Sequence, residues 1–429
     1  LLKKREGFLS FLMTNKFLSS EYGKKIRELV LNQAQLREIL NISSLDIFEG
    51  TSIYPINITI QNKPPNPEEE IIIKIFEDLA HFMDFSPNHL ATIAQSSLSI
   101  FPGKIIPIAG NIKQVETLCL KFKSLEEVFE DLKVIYRPYG FLNWAKNFEY
   151  INEHQKTNKD LILLGTGNVG KYQIKFRKRI KIAKKNIPIS YFTYNEDIQE
   201  LHSQLGKEKL IFREIAKDLT FVYDPGIFTN ITGLYFLQIP SFSTLDYFSL
   251  LTVLNSTHMN SIFKTLYGTL HMSGGYLRCN GSFIKRLPII ENLPEELGLL
   301  GKINQFLSQL KYDLHSPTSN KLREELNSIQ TFVEKEIDEI IKLFKNLSDR
   351  LVYLLYFKEN DIDAAEHYSY LFQYLKSSLR IPNIELGYTT RDFTMPLTLN
   401  IKKATLISNL NELFTFYHQF TQDQNLRVL

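Results

Sequence analysis

Between Lys171 and Lys185 the chain carries eight basic side chains, Lys171, Lys175, Arg177, Lys178, Arg179, Lys181, Lys184 and Lys185, and no acidic one. Tyr172, Ile174, Phe176, Ile180 and Ile182 stand at even positions while most of the cations stand at odd ones, the two-residue period of a strand. With the apolar side buried, such a strand turns Lys175, Arg177, Arg179 and Lys181 outward together. A row of cations on one face suits a polyphosphate backbone such as that of duplex DNA, because each neutralised phosphate releases a counterion. The alternative is a solvated sheet face, but such faces usually mix both signs. Lys207, Lys209 and Arg213, then Arg278, Lys285 and Arg286, add cations to the same region. Interleaved Asn, Ser and Tyr residues offer hydrogen bonds to a nucleic-acid backbone or to base edges.

A second arrangement competes. Asp160 to Leu164 runs into Gly165-Thr166-Gly167-Asn168-Val169-Gly170-Lys171, which satisfies the spacing G-x-G-x-x-G and the first seven positions of a P-loop. Both motifs hold phosphate because the glycine turn feeds a helix whose amino-terminal N–H groups and dipole point at the anion. Here the following residues have the strand period, position 172 is Tyr where a P-loop needs Ser or Thr, and no suitably placed acidic residue follows a second strand. The spacing therefore predicts a hairpin or bulge turn, with a nucleotide-binding enzyme at 165–171 as an alternative.

Other chemistry is thinly represented. The nine histidines have no HxxxH or HxH spacing, and neither a Ser-His-Asp arrangement nor a PD…D/ExK nuclease cluster stands out. His81, His258 and His271 read as structural or DNA-facing. Cys119 and Cys279 are too few for a disulfide framework or a cysteine-rich zinc site, so a reduced, cytoplasmic setting with buried thiols is expected.

The elements that would position these residues follow from periodicity. Residues 7–13 read as a short buried strand, and Ser19-Ser20 offers an N-cap for a helix over 21–33 with Tyr22, Ile26, Leu29 and Val30 on one face. Strands are expected over 36–42 and 53–60, the order of the trailing edge of an α/β sheet. Pro64, Pro65 and Pro67 with three glutamates mark a linker, 71–100 reads as helical, and 104–290 reads as short aromatic-rich strands with helical insertions. From Glu296 onward helical periodicity returns, with coiled-coil contact expected between 296 and 346. The expected class is α+β multidomain: an α/β remnant at 1–63, a helical connector at 64–103, a mainly β domain at 104–290 and a helical domain at 291–429. Hydrophobic residues make up 44% of the 429, enough for packed cores, and a formal net charge of +3 neither demands nor excludes nucleic acid. No apolar run reaches the ~20 residues of a membrane span, nor does the amino end read as a signal peptide, so a cytosolic protein is expected. The chain starts Leu1-Leu2-Lys3-Lys4 directly before a strand, which suggests a start inside a domain.

Several blocks, in order, resemble the γ-class adenine-specific DNA methyltransferases with a TaqI-like C-terminal specificity domain, including the type IIG restriction–modification enzymes. Glu6 to Leu18 with Tyr22-Gly23 and Ile26-Arg27 is similar to the strand after that family's catalytic motif. Asp46-Ile47-Phe48-Glu49-Gly50-Thr51-Ser52-Ile53 resembles its motif VIII, which implies that Phe48 packs against an adenine rotated out of the duplex. Without the resemblance, Phe48 reads as a core residue. Leu163 to Ile174, Lys209 to Ile215 with Tyr223-Asp224, Tyr235 to Pro240, Leu250 to Ser256 and Arg278 to Ile289 are similar to successive blocks of the specificity domain, and Asp349 to Phe357 to a segment that follows it.

The resemblance implies methyl transfer from S-adenosylmethionine to adenine within a short specific sequence of double-stranded DNA. The family's S-adenosylmethionine glycine motif and its Asn/Asp-Pro-Pro-Tyr/Phe/Trp clamp do not occur in this sequence; both precede such blocks in the family. The expectation is therefore a chain that reads DNA, binds no cofactor by itself and works with an N-terminal methyltransferase or nuclease portion. A stand-alone specificity subunit is the main alternative.

Overall fold

A computed structural model describes residues 3–4, 6–48, 53–176, 179–182, 185–272, 275–315, 320–327, 336–359, 361–379, 384–389 and 397–423. They form two compact units, one of Leu1–Val128, Ser261–Arg278 and Ser282–Ile289, the other of Phe129–Asn260, Cys279–Gly281 and Ile290–Leu429. The class is mixed α+β, with several sheets and many helices.

The first unit is built on five strands: β1 (Phe8–Thr14), β2 (Gln35–Asn41), β3 (Pro55–Gln61), β4 (Glu70–Ile75) and β5 (His89–Ala94), in the order β1-β3-β2-β4-β5. β3 runs antiparallel to both β1 and β2, β2 and β4 are parallel, and β5 is antiparallel to β4, so β1, β2 and β4 point the same way. Leu36, Ile39, Ile56, Ile71, Ile73 and Phe76 are fully buried, which fits a β-branched core laid on a pleated sheet. The helical reading of 71–100 fails here. Alternating burial of Ile71 and Ile73 wins over helical spacing, and the one α-helix inside the segment is the short Leu79–Met83.

β1 forms where expected, but it is not a buried strand. Phe8, Leu9, Phe11 and Leu12 are all exposed, on both faces of the sheet's edge. Helix α1 (Lys24–Gln33) also forms, after a 3-10 turn at Glu21–Gly23, with its faces reversed from the apolar-stripe expectation. Tyr22, Ile26 and Leu29 are exposed, whereas Arg27 and Leu31 are buried. The reason is hydrogen bonding. Arg27 donates to the carbonyl oxygens of Phe17 (2.6 Å), Ser20 (2.8 Å), Gly103 (2.9 Å) and Lys104 (2.8 Å), and a cation so surrounded holds the inward face.

In the second unit the strands are β6 (Lys133–Tyr136), β7 (Ile151–Asn152), β8 (Leu161–Leu163), β9 (Val169–Gly170), β10 (Gln173–Ile174), β11 (Ile180–Ile182), β12 (Lys185–Ile187), β13 (Ser190–Phe192), β14 (Lys209–Arg213), β15 (Ile215–Ala216), β16 (Phe221–Asp224), β17 (Phe228–Thr229) and β18 (Leu234–Gln238). One four-stranded sheet has the order β17-β8-β13-β7 and another, wholly antiparallel, the order β16-β14-β18-β6. Leu210, Ile211, Phe212, Leu234, Phe236 and Leu237 are fully buried, so β14 and β18 read as continuous apolar runs because both faces are covered.

The helix Thr244–Asn255 supplies part of that cover. Helices α2 (Thr244–Asn255), α3 (Glu295–Leu314), α4 (Glu336–Phe357), α5 (Ile362–Ser378) and α6 (Lys403–Gln422) surround one another, with α3 packed on both α2 and α4. A Cβ at Gly301 would lie 2.4 Å from the Phe248 carbonyl oxygen, so glycine there permits the close approach of α3 to α2. α3 is buried on nearly every side, polar Asn304, Gln305 and Gln309 included, which makes it a central helix of this unit and not one strand of a two-helix coiled-coil seam.

Candidate nucleic-acid interface

The cationic run is two hairpins, not one strand. β9 pairs with β10 and β11 with β12, both antiparallel, and Tyr172 sits in the first turn at φ +59°. The alternation expected from the sequence persists through the break: Tyr172, Ile174, Ile180 and Ile182 are buried, Arg179, Lys181 and Lys185 are exposed, and Lys171 and Lys175 are half-buried. Arg177, Lys178 and Lys184 lie outside the described residues. Several of these cations are held by the chain itself, Lys185 Nζ among them at 4.5 Å over the Phe148 ring. Lys171 Nζ donates to the Asn255 carbonyl oxygen at 3.1 Å, and Arg179 Nη2 donates across its hairpin to the Asn186 carbonyl oxygen at 2.8 Å.

The glycine turn is closed on itself by the Asn168 N–H, which donates to the Gly165 carbonyl oxygen at 3.0 Å. The Gly165 N–H donates to Asn168 Oδ1 at 2.9 Å, and Asn168 Nδ2 donates to the Lys175 carbonyl oxygen at 2.9 Å. A Cβ at Gly165 would lie 2.9 Å from Ile180 Cγ2, so this glycine serves packing between the two hairpins. The turn feeds the 3-10 segment Thr166–Asn168 and then β9, and no helix begins there to present its amino terminus to an anion.

The remaining cations divide between the units. In the second, Lys209 is fully buried and pairs with Asp224 at 2.6 Å, the two being cross-strand partners on β14 and β16. Asp224 also accepts from the N–H groups of Gly226 and Ile227 at 2.9 Å and of Phe228 at 3.3 Å. Lys209 is thereby removed from the cations available to a duplex. Arg213 is half-buried at the end of β14, its Nε buried with no hydrogen-bonding partner among the described residues. In the first unit, Arg278 is exposed at the end of the strand Tyr276–Arg278, Lys285 is half-buried, and Arg286 forms an ion pair with Glu21.

Phe48 lies on the loop after β2 and is 40% exposed, which removes the core reading of this residue. His258 is packed against Tyr353, Tyr356 and Phe357, and burial pulls its imidazole down to about 4. It is neutral at physiological pH and structural. His81 Nδ1 sits 2.7 Å from Asp78 Oδ2; the His271 side chain lies outside the described residues. Burial pushes the thiols of Cys119 and Cys279 up to about 12, so neither is a nucleophile at neutral pH. Among the described residues no group of His, Cys, Asp and Glu could hold a metal ion, and no helix is long and apolar enough to cross a membrane.

Residues 160–289 match the TaqI-like C-terminal specificity domain. Residues 1–48 match the Eco57I restriction-modification methylase family. The chain thus carries a methylase segment followed by a specificity domain. No curated protein matches it. Among solved structures it is similar to the type IIL restriction-modification enzyme MmeI in complex with DNA, at 11% identity and a TM-score of 0.42 over 86% of this chain and 50% of that one. It is also similar to the type IIG restriction endonuclease BpuSI, at 11% identity and a TM-score of 0.31 over 82% and 47%. A nuclease-deletion mutant of the type ISP enzyme LlaGI in complex with a DNA substrate mimic gives 9% identity and a TM-score of 0.36 over 71% and 35%. The chain spans half or less of the length of each.

Several residues in the matched segments turn out to hold the fold. In the methylase segment, a Cβ at Gly23 would lie 2.7 Å from Arg27 Nη1 and 2.8 Å from the Phe17 carbonyl oxygen, so the pair Tyr22-Gly23 and Ile26-Arg27 describes a guanidinium seated against a glycine. In the specificity domain, Asn255 accepts from the Phe221 N–H at 2.9 Å and donates to its carbonyl at 3.0 Å. Gln305, beyond the domain's end, does the same for Tyr223 at 2.9 and 3.0 Å, and Gln309 for Ile174 at 2.9 and 3.1 Å. These three amides escaped the sequence reading. The available signal was two glutamines, Gln305 and Gln309, one helical turn apart among the apolar Ile303, Phe306, Leu307 and Leu310.

Proposed function

We propose that this chain is the sequence-reading C-terminal portion of an adenine-specific DNA methyltransferase of a restriction–modification system. In the intact enzyme a methyl group passes from S-adenosylmethionine to the exocyclic amino group of adenine within a short duplex sequence. No residue of this chain is assigned to the methyl donor. The observation that carries the reading is the order of a methylase segment and a specificity domain in which the outward positions of two hairpins are cationic. Lys171, Lys175, Arg177, Lys178, Arg179 and Lys181, with Arg213, Arg278, Lys285 and Arg286, are the proposed duplex-binding residues. Arg179, Lys181 and Arg278 are the exposed members among the described residues, while Arg286 would have to exchange Glu21 for a phosphate.

Methylation of an adenine inside a stacked duplex requires rotating it out, at a cost of a few kcal/mol that apolar contact helps offset. Phe48 fits that task because it is an exposed aromatic on the loop following a strand of the first unit. The exposed apolar edge at β1, with Tyr22, Ile26 and Leu29 of the α1 region, supports a sheet that continues into a further, N-terminal methyltransferase portion. The recognition is tested by equilibrium binding of the chain to a labelled duplex across a salt series. Lys175→Ala, Arg179→Ala and Lys181→Ala together weaken binding and flatten the log–log salt slope by roughly 0.9 for each phosphate that is no longer neutralised. Unchanged affinity and slope remove this surface from the interface.

A further inference from the structure

A row of stacked rings crosses the antiparallel sheet of the second unit. Tyr136, Tyr235, Phe212 and Phe221 are successive cross-strand partners on β6, β18, β14 and β16, with ring centroids 4.3, 5.0 and 4.8 Å apart and planes within 29° of parallel. Tyr235, Phe212 and Phe221 are buried, so the row is fixed from inside and ends at the half-buried Tyr136 on the outer strand β6. The Tyr136 hydroxyl donates to Glu214 at 2.8 Å, which fixes the ring from its polar end as well.

Arg137 lies on that ring, its guanidinium carbon 5.1 Å from the Tyr136 centroid. The residue is exposed and holds a left-handed backbone at φ +48°, although it precedes Pro138, which favours an extended residue before it. Its Nε donates to Thr232 Oγ1 at 3.3 Å, and among the described residues neither Nη1 nor Nη2 makes a hydrogen bond or ion pair. A guanidinium stacked on a ring and tied at Nε has lost much of its rotamer freedom before any ligand arrives, and it keeps a planar pair of donors in hand.

Thr232 connects this side chain to the cationic hairpins. The next residue, Gly233, has φ +87°, and a Cβ there would lie 2.4 Å from Thr166 Oγ1, which donates to the Gly233 carbonyl oxygen at 3.4 Å. Thr166 follows Gly165, which packs on Ile180, the residue between Arg179 and Lys181. Arg137 therefore stands at the end of an unbroken series of contacts that starts at the exposed cations of the β11–β12 hairpin. Two acceptors on a duplex suit a planar pair of donors, a phosphate and the O6 and N7 edge of guanine. Glu214 favours guanine, because a carboxylate at the hydroxyl end of the same ring opposes a phosphate and tolerates a neutral base edge. A braced side chain on a fixed strand end also suits base readout, since phosphate contacts position a duplex without specifying its sequence.

We propose that Arg137 reads a guanine in the major groove of the recognition sequence, donating from Nη1 and Nη2 to O6 and N7 while the hairpin cations hold the phosphates. This rests on the reading of the chain as a DNA-recognition portion. The full chain, Arg137→Ala and Arg137→Lys each select from a pool of randomised duplexes, and each is then titrated with the duplex that the parent selects, over a salt series. The parent is expected to select guanine at one position that Arg137→Ala no longer specifies, with every other position kept. Affinity of Arg137→Ala for the selected duplex falls roughly tenfold to a hundredfold at an unchanged salt slope, and Arg137→Lys, which keeps the charge without the planar fork, falls between the two. Because Arg137 is exposed, both variants melt with the parent. Selection of the same sequence by Arg137→Ala overturns the proposal and leaves the recognition reading standing. A loss spread evenly over all positions overturns it too, whether with a slope flatter by roughly 0.9, the mark of a phosphate contact, or with a lowered melting temperature, the mark of a purely structural role. A parent that selects no sequence overturns the recognition reading along with it.

Discussion

The two units finish their sheets in opposite ways. β16, an outer strand of the second unit, has the N–H and carbonyl of Phe221 taken by Asn255 and those of Tyr223 taken by Gln305, alternate residues answered by side-chain amides from two helices. β1, the outer strand of the first unit, pairs with β3 on one side and exposes Phe8, Leu9, Phe11 and Leu12. An amide side chain imitates a neighbouring strand and closes an edge, whereas an apolar edge without such cover invites another strand or sheet. The second unit thus closes its own edge, and the first presents a seam.

The comparison is tested hardest at the ion pair that anchors β16. Lys209 and Asp224 are fully buried, and removing one partner leaves the other charged in an apolar core. Asp224→Ala also frees the N–H groups of Gly226, Ile227 and Phe228. The expected destabilisation is about 3–5 kcal/mol, read from chemical denaturation of the second unit's transition. A value under about 1 kcal/mol would mean that the strand is held by other means. Asn255→Leu comes next. It strands the buried N–H of Phe221, whose carbonyl keeps the Tyr172 N–H at 3.0 Å, so a destabilisation of roughly 2 kcal/mol is expected, with faster hydrogen exchange at Phe221 as the local readout. Gln305→Leu should reproduce the effect at Tyr223; no change in exchange at either residue would sink the edge-closure account.

Strands with strict alternation were legible in the sequence. Burial follows the period of two at Ile39 and Asn41 in β2, beyond its register shift at Leu36/Glu38, at Ile56 and Ile58 in β3, and in the two cationic hairpins, and the hairpin reading of the glycine turn holds because alternation after Gly170 outweighs the glycine spacing. What failed did so where a polar group takes the inward position. Arg27 reverses the faces of α1 because four carbonyl oxygens await it, and Lys209 looks like a surface cation until its cross-strand partner Asp224 is known. Pair partners distant in sequence are invisible to periodicity. The strands of 71–100 were hidden for a different reason: Glu70 to Ile75 is a run of isoleucines and charges too short to separate a strand from a helical turn. For the interface, the sequence located the cations and their outward side, but not which of them the chain already holds.

The smallest expected change in stability belongs to the open edge, where it is most informative. Phe11 is 56% exposed and its neighbours across β1 are fixed only through β3, so Phe11→Lys should alter folding stability by no more than about 0.5 kcal/mol. A lysine on an edge strand nevertheless blocks pairing with another edge, because the charge would have to be desolvated. Sedimentation over a concentration series is therefore expected to show self-association of the parent chain that Phe11→Lys suppresses, together with Phe8→Lys on the opposite face. A parent that stays monomeric, or variants that associate equally well, would mean that β1 is not a seam and that the contrast with β16 has no consequence for assembly.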